Sequence, residues 1–211
     1  MRDPDAVIII GAGGHAKVVF ELIAQDPRYR VIGLIDNVGS GTALGVPVLG
    51  ADRDLPRLRQ SGIDKAFVAI GDNGRRLTLG RALQKEGFEI VNAISPSAII
   101  SRSALIGVGV AIMSSAVLSA DCRVEDFAVV NTGAIVDHDG HIGEGAHVAP
   151  GCVLAGNVKV GRKAFLGTGT NAIPGISVGE ETIVGAGACL VRDLPAHVTA
   201  VGVPARIVRK G

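Results

Sequence analysis

The chain has 211 residues, 47% of them hydrophobic, a formal net charge of +1 and only six aromatic side chains, one Tyr and five Phe. That is enough apolar material for one large core or two small ones, and too little basic excess and aromatic surface for a nucleic-acid partner. No apolar run reaches the roughly 18 residues of a membrane span, and the opening Met-Arg-Asp-Pro-Asp lacks a secretory leader's basic start and long apolar stretch, so a cytoplasmic protein with no membrane span is expected.

In chain order, Val7-Ile8-Ile9-Ile10 reads as a buried strand, Gly11-Ala12-Gly13-Gly14 as a tight turn, and His15 to Ala24 as a helix with Val18, Val19, Leu22 and Ile23 on one face. A second strand, Val31 to Ile35, ends at Asp36-Asn37. A third, Ala66 to Ile70, ends at Gly71-Asp72-Asn73-Gly74 and leads into a helix from about Arg75 to Glu86, stopped by Gly87. The sum is a small Rossmann-like βαβαβ domain over residues 1–93, whose strand ends converge on the edge where parallel α/β sheets bind ligands. Gly11, Gly13 and Ala16 fit GxGxxG/A, and Asp36 follows at about the 20 to 25 residues expected of a ribose-binding acid. The glycines could equally serve only the strand-to-helix turn. Three polar strand ends together, His15, Asp36-Asn37 and Asp72-Asn73, favour ligand contact; His15 at the helix start could donate to a phosphate or ribose, or simply cap.

From Ile94 to Leu190 the period changes to six. Stepping by six from Ile100 to Leu190 meets an aliphatic residue fifteen times in sixteen, Ala172 being the exception. Two residues before most of these stands a small side chain, such as Ala116, Cys122, Ala128, Ala134, Ala146, Cys152 or Ala164. Period six is neither helical nor the alternation of a sandwich. It fits a three-sided parallel β-helix in which each hexapeptide is a short strand plus a corner and 18 residues make a coil. The chain has 30 glycines, about twice what average usage of about 7% gives. Gly143, Gly161 and Gly179 on one edge and Gly167 and Gly185 on another recur at the coil length, where corners need φ > 0 or tight backbone approach. Cys122, Cys152 and Cys189 are odd in number and lack CxxC spacing, which predicts buried thiols rather than a disulfide or zinc frame.

Inside this regular stretch the run Asp137-His138-Asp139-Gly140-His141-Ile142-Gly143-Glu144-Gly145-Ala146-His147 stands out. A zinc site would use His138, His141 and His147, but His138 lies two past the inward Val136 and His141 one before the inward Ile142, so they point differently and no metal is expected. A second reading is acid–base chemistry, with His138 as the base and Asp139 or Asp137 orienting its ring; an imidazole pKa near 6.5 suits that task. The third, a solvated surface histidine, is adopted for His141.

The chain resembles the NeuD/PglD-type sugar acetyltransferases over essentially its whole length. The marks are IIIGAGGHAK (Ile8 to Lys17), AIGDN (Ala69 to Asn73), NTGAIVDHD (Asn131 to Asp139), HVAPGCVLAGNVKVG (His147 to Gly161) and VGVPA (Val201 to Ala205). The resemblance implies that residues 94–211 form a left-handed parallel β-helix with a C-terminal tail, a hand that spacing does not fix and that most parallel crossovers do not take. It also implies direct acetyl transfer from acetyl-CoA to an amine or hydroxyl of a sugar, the 4-amino group of a nucleotide-linked amino-sugar above all. His138 matches the general base, and Asp139 falls where the bacillosamine enzyme has Glu. His147 matches a residue near the thioester carbonyl, the Gly156 N–H an oxyanion donor, and Thr168 and Ala186 positions along the pantetheine channel. Arg206, Arg209 and Lys210 match either a CoA-phosphate contact or a solvated tail. Gly13, His15, Asp36, Asn37, Gly71, Asp72 and Asn73 match the surface that holds the nucleotide-sugar. A homotrimer with CoA between neighbouring prisms is implied as well. The alternatives are O-acetylation of sialic acid or a related sugar, a non-catalytic nucleotide-binding scaffold and, more distantly, NAD-linked redox chemistry.

Overall fold

Four consecutive residues, Val7 to Ile10, are at most 1% exposed, as a strand covered on both faces must be. They belong to β1 (Asp5–Ile10), the centre of a parallel sheet in the computed structural model, which describes residues 3–37 and 41–210 and divides into two compact units between Ala93 and Ile94. In the first unit β1 pairs in parallel with β2 (Tyr29–Ile35) and with the later strand Lys65–Val68. Between β1 and β2 runs α1 (Gly14–Ala24), which buries Ala16, Val19, Leu22 and Ile23. Val18, expected on that face, is 40% exposed, because a 3.6-residue turn sets it about 100° from Val19.

The unit is larger than the three-strand, two-helix reading. β3 (Gly41–Ala43) and β4 (Val46–Gly50) form an antiparallel hairpin, β4 extends the sheet beside β2, and α2 (Leu55–Gln60) follows. After β5 (Lys65–Val68) and α3 (Asn73–Lys85) comes the short edge strand β6 (Glu89–Ile90), giving the order β3-β4-β2-β1-β5-β6. These extra elements are short and carry few apolar residues, Leu55 and Leu58 alone being buried in α2, so periodicity leaves no trace of them. The helix α3 starts two residues earlier than expected because the Asp72 side chain accepts the Arg75 N–H at 2.7 Å as its N-cap.

The second unit is a prism of two-residue strands stacked in parallel in three sheets of eight, six and five strands, the first of these counting the two longer closing strands Val198–Val201 and Arg206–Lys210. Register advances by 18 residues per coil: Val129↔His147↔Phe165 on the first face, Val117↔Ile135↔Val153 on the second, Arg123↔His141↔Lys159 on the third. Ile112, Leu118, Val124, Val130, Val136, Ile142, Val148, Leu154 and Leu166 stack inside, each at most 1% exposed, with the small row of Ala116, Cys122, Ala134 and Cys152 fully buried beside them. Each buried Leu, Ile or Val contributes roughly 1.5–3 kcal/mol. The chain ends beyond Leu190 in a hairpin, Val198–Val201 against Arg206–Lys210, that the period of six does not announce.

Corner geometry separates the two jobs suggested for glycine. Fourteen successive positions six apart, Gly109 to Gly187, have φ between 54° and 70° or, at Gly175, 76°; half are not glycine, among them Asp121, Asp139 and Asn157. Gly143, Gly161 and Gly167 sit two residues earlier and serve close approach instead: a Cβ at Gly161 would lie 2.6 Å from the Glu180 nitrogen, and one at Gly167 2.6 Å from that of Ala186. Cys122 and Cys152 are buried inward thiols that donate to the Asp137 and Gly167 carbonyls at 3.1 and 3.2 Å. Cys189 departs from the expectation of burial; it stands at an outward strand position and is half-buried.

Candidate active site

The His138 corner joins the strand Ile135–Val136 of the second face to His141–Ile142 of the third. Asp139 takes the left-handed conformation there, φ 59°, and its backbone N–H donates to the Ala120 carbonyl of the preceding coil. This turn brings its side chain alongside the preceding residue: His138 Nδ1 meets Asp139 Oδ2 at 2.8 Å. Asp137 does a different job, accepting the His138 backbone N–H at 2.8 Å. Asp139 is therefore the carboxylate that orients the ring, and its shorter stem holds the imidazole closely. With Nδ1–H donated to the carboxylate, Nε2 is left as the basic nitrogen. The hydrogen bond that Asp139 accepts, then the charge of Asp137, raises the His138 pKa above its ordinary 6.5.

One coil on, at the same corner, stands Gly156, whose neighbour Asn157 donates its N–H to the His138 carbonyl at 2.8 Å. A Cβ at Gly156 would lie 2.5 Å from both Cε1 and Nε2 of His138. The imidazole thus occupies the space a side chain would fill, with its basic nitrogen over the Gly156 backbone.

His147 lies on the first face, 8% exposed, its ring edge-on to Phe165 with centroids 5.3 Å apart. Asn131, a residue inside the NTGAIVDHD stretch to which no role was attached, fixes its tautomer. Asn131 Oδ1 accepts the Thr132 N–H at 2.8 Å, so its NH2 faces His147 Nε2 at 3.0 Å; Nε2 accepts and the ring proton sits on Nδ1. Thr168 and Ala186 stack at the neighbouring corner, between the first and second faces, where the Gly187 N–H donates to the Thr168 carbonyl at 2.8 Å. The structure thus brings His138, Asp139 and Gly156 together at one corner, and aligns Thr168 with Ala186 at another. Within one chain the second face separates these two groups.

The three histidines do not converge. His141 Nε2 and Glu125 Oε1 make a half-exposed hydrogen bond of 2.8 Å on the third face, and no group of three metal ligands occurs among the described residues. Arg206 and Arg209 lie on the exposed closing hairpin with Lys210.

In the α/β unit the strand ends form a small cavity of about 100 Å³ lined by Gly11, Asp36, Asn37, Asp52 and Arg75. Gly11 is the structural glycine of the turn, at φ 110° with the Ala69 carbonyl 2.9 Å from where a Cβ would stand. Gly13 and Gly14 are different: neither has positive φ, and no atom lies within 4 Å of a Cβ built on either. Turn geometry alone does not require them, whereas a ligand lying against the start of α1 would. That helix has neither a side-chain cap nor an acidic residue in its first turn. Asp36 Oδ2 accepts the Ala12 N–H at 3.0 Å and so braces the glycine turn, while Asn37 pairs with Asp52 through two hydrogen bonds of 2.9 and 3.2 Å. Gly71 is open above its Cα, and Asp72 caps α3. Burial, helped by the nearby Arg76 charge, pushes the His15 pKa down to about 4, so the ring is neutral at physiological pH and acts as a dipolar partner rather than a cation.

Residues 6–83 match the PglD N-terminal domain family. The whole structure superposes with a TM-score of 0.93 on PerB from Caulobacter crescentus in complex with CoA and GDP-perosamine, at 50% identity over 97% of each chain. It superposes equally, TM-score 0.93, on the acetyltransferase domain of PglB from Neisseria gonorrhoeae in complex with acetyl coenzyme A, at 36% identity over 97% of this chain and all of that one. A stretch of 110 residues is 38% identical to the UDP-N-acetylbacillosamine N-acetyltransferase of Bacillus subtilis and spans about half of each protein, 51%. An α/β domain followed by a left-handed parallel β-helix with a histidine–carboxylate pair on one corner defines a hexapeptide-repeat acetyltransferase. The chain belongs to the NeuD/PglD-type family of sugar acetyltransferases.

Proposed function

We propose that the protein transfers an acetyl group from acetyl-CoA to the 4-amino group of a nucleotide-linked amino-deoxy-sugar. The observation that carries this reading is the His138 corner, where a carboxylate-held imidazole directs Nε2 over a residue without a side chain. PerB, bound to CoA and GDP-perosamine, and the PglB domain, bound to acetyl-CoA, support the pairing of substrates. His138 Nε2 takes a proton from the neutral sugar amine as its nitrogen attacks the thioester carbonyl. Asp139 stabilises the imidazolium that results, and the Gly156 N–H receives the oxyanion. Collapse expels the CoA thiolate, which takes the proton back from His138, leaving an amide and CoA-SH. No acyl-enzyme is needed, since both substrates held in place supply the entropic advantage of an intramolecular step.

His147 serves near the thioester carbonyl and Thr168 and Ala186 along the pantetheine arm. Gly13, His15, Asp36, Asn37, Gly71, Asp72 and Asn73 serve the nucleotide-sugar. We place the enzyme as a homotrimer with acetyl-CoA between neighbouring prisms. Two things support this: the His138 and Thr168–Ala186 corners lie apart in a single chain, and the second face between them exposes Ile99 (67%) and Val153 (41%). Both substrates are water-soluble and no helix of the described residues is long and apolar enough to cross a membrane, which supports a cytoplasmic location.

The test is CoA thiol release from acetyl-CoA with GDP-perosamine, a UDP-linked 4-amino-sugar and free sialic acid. Turnover on a nucleotide-linked amine is expected. Turnover on sialic acid alone would move the assignment to O-acetylation, and CoA binding without turnover on any acceptor to a non-catalytic scaffold.

A further inference from the structure

Arg76 heads the fully buried side chains of the described residues by volume, at 0% exposure on the inward side of α3. A buried guanidinium needs acceptors on several sides, and an apolar residue of similar volume would fill the core without that demand. Three of its acceptors belong to one turn. Nη1 donates to the Ile70 carbonyl at 3.0 Å and the Gly71 carbonyl at 3.1 Å, and Nη2 donates to Asn73 Oδ1 at 2.9 Å. A guanidinium only donates, so Asn73 must present its oxygen, and the amide NH2 is thereby turned the other way. Burial lowers the Arg76 pKa to about 10, which leaves it charged at neutral pH beside His15.

We propose that Arg76 is a positioning residue of the acceptor site: its hydrogen bonds to Ile70, Gly71 and Asn73 fix the turn from Ile70 to Asn73 and aim the Asn73 amide, so that the nucleotide-sugar meets a preformed surface. The inference rests on the reading of the α/β unit as the nucleotide-sugar domain.

The test compares full-length wild type with Arg76→Met, Arg76→Lys and Asn73→Asp, by calorimetric titration with GDP-perosamine and a UDP-linked 4-amino-sugar and by steady-state kinetics on both substrates. Loss of a buried network and misplacement of a substrate contact are expected to raise the Kd and KM for the nucleotide-sugar roughly 10- to 100-fold in Arg76→Met. The KM for acetyl-CoA should stay within about 2-fold, since a defect confined to one substrate removes binding to that substrate alone. Arg76→Lys should fall between, because an ammonium cannot span the three acceptors as a planar fork does. Asn73→Asp keeps an acceptor for Arg76, and hence the fold, but removes the amide donor; it should lose nucleotide-sugar binding alone. Unchanged nucleotide-sugar affinity in Arg76→Met, or an equal rise in both KM values, would overturn the proposal. Should Arg76→Met fail to fold, wild-type affinity in Asn73→Asp would overturn it instead. Wild type that binds neither nucleotide-sugar would remove the reading of the domain, and the proposal with it.

Discussion

The two candidate sites use absent side chains in opposite ways. In the prism, Gly143, Gly161 and Gly167 are filled from the next coil, and Gly156 is filled by the imidazole of His138. In the α/β unit, Gly13, Gly14 and Gly71 face open space. The His138 corner is thus a finished mould in which the imidazole is already seated, whereas the strand-end loops leave their glycine positions open. The His138–Asp139 pair gains its geometry from a backbone repeated every 18 residues; the strand-end loops gain theirs from caps and side chains such as Asp36, Asp72 and Arg76.

The sharpest way to break this comparison is to remove the seated group. His138→Ala is expected to lower kcat/KM about 10²- to 10⁴-fold, the contribution of a positioned base, while nucleotide-sugar affinity and thermal stability stay near wild type. A fall in nucleotide-sugar affinity of the same size would mean that the two units do not divide the work as described. Gly156→Ala tests the mould itself. With the new methyl 2.5 Å from the ring, His138 must move, and a loss of about 10²-fold in kcat/KM is expected with little change in melting temperature. Normal turnover in that variant would show that the ring's seat is not used.

The α/β unit is probed through His15. Its folded pKa of about 4 lies below the ordinary 6.5, so the unfolded chain binds the proton more readily between these values. Stability should therefore be intact above about pH 6.5, fall as pH drops towards 4 and level off below, by a total on the order of 3 kcal/mol. His15→Gln should flatten that slope in denaturant titrations, and an unaltered slope would assign the acid sensitivity elsewhere. The smallest expected effect concerns Asp139. The raised pKa of His138 places the acid limb of kcat/KM above 6.5, activity rising with pH as the ring loses its proton. Asp139→Asn removes the principal cause of that shift, so the limb should move to lower pH while the maximal rate falls. Asp137→Asn, which alters only the weaker charge effect, should move it less.

Much of this was legible in the sequence because a stacked repeat writes its core into the chain. Ile112, Leu118, Val124 and their successors recur at a fixed period and all turn inward. The same regularity makes the His138 run conspicuous. The α/β unit was legible only in its central elements, since β1 and α1 carry long apolar patterns, while the Gly41–Ala43 and Val46–Gly50 hairpin and α2 are too short to show a period. Arg76 escaped notice because a charged residue on a helix reads as surface, and no spacing reveals that three acceptors wait for it inside. Asn131 lay within a recognised stretch, but its grip on His147 spans 16 residues.

What the sequence determined by itself was the periodic part: a prism of hexapeptides, its inward rows, and the histidine–aspartate pair that interrupts them. Only tertiary structure decided which carboxylate holds His138 and which glycines are moulds rather than turns. It alone showed that Gly156, eighteen residues away, lies beneath the imidazole. The reason is physical. Periodicity reports which way a side chain points, an effect local to the backbone, whereas contacts between coils depend on register and on left-handed corners such as Asp139, which half the time carry no glycine to mark them.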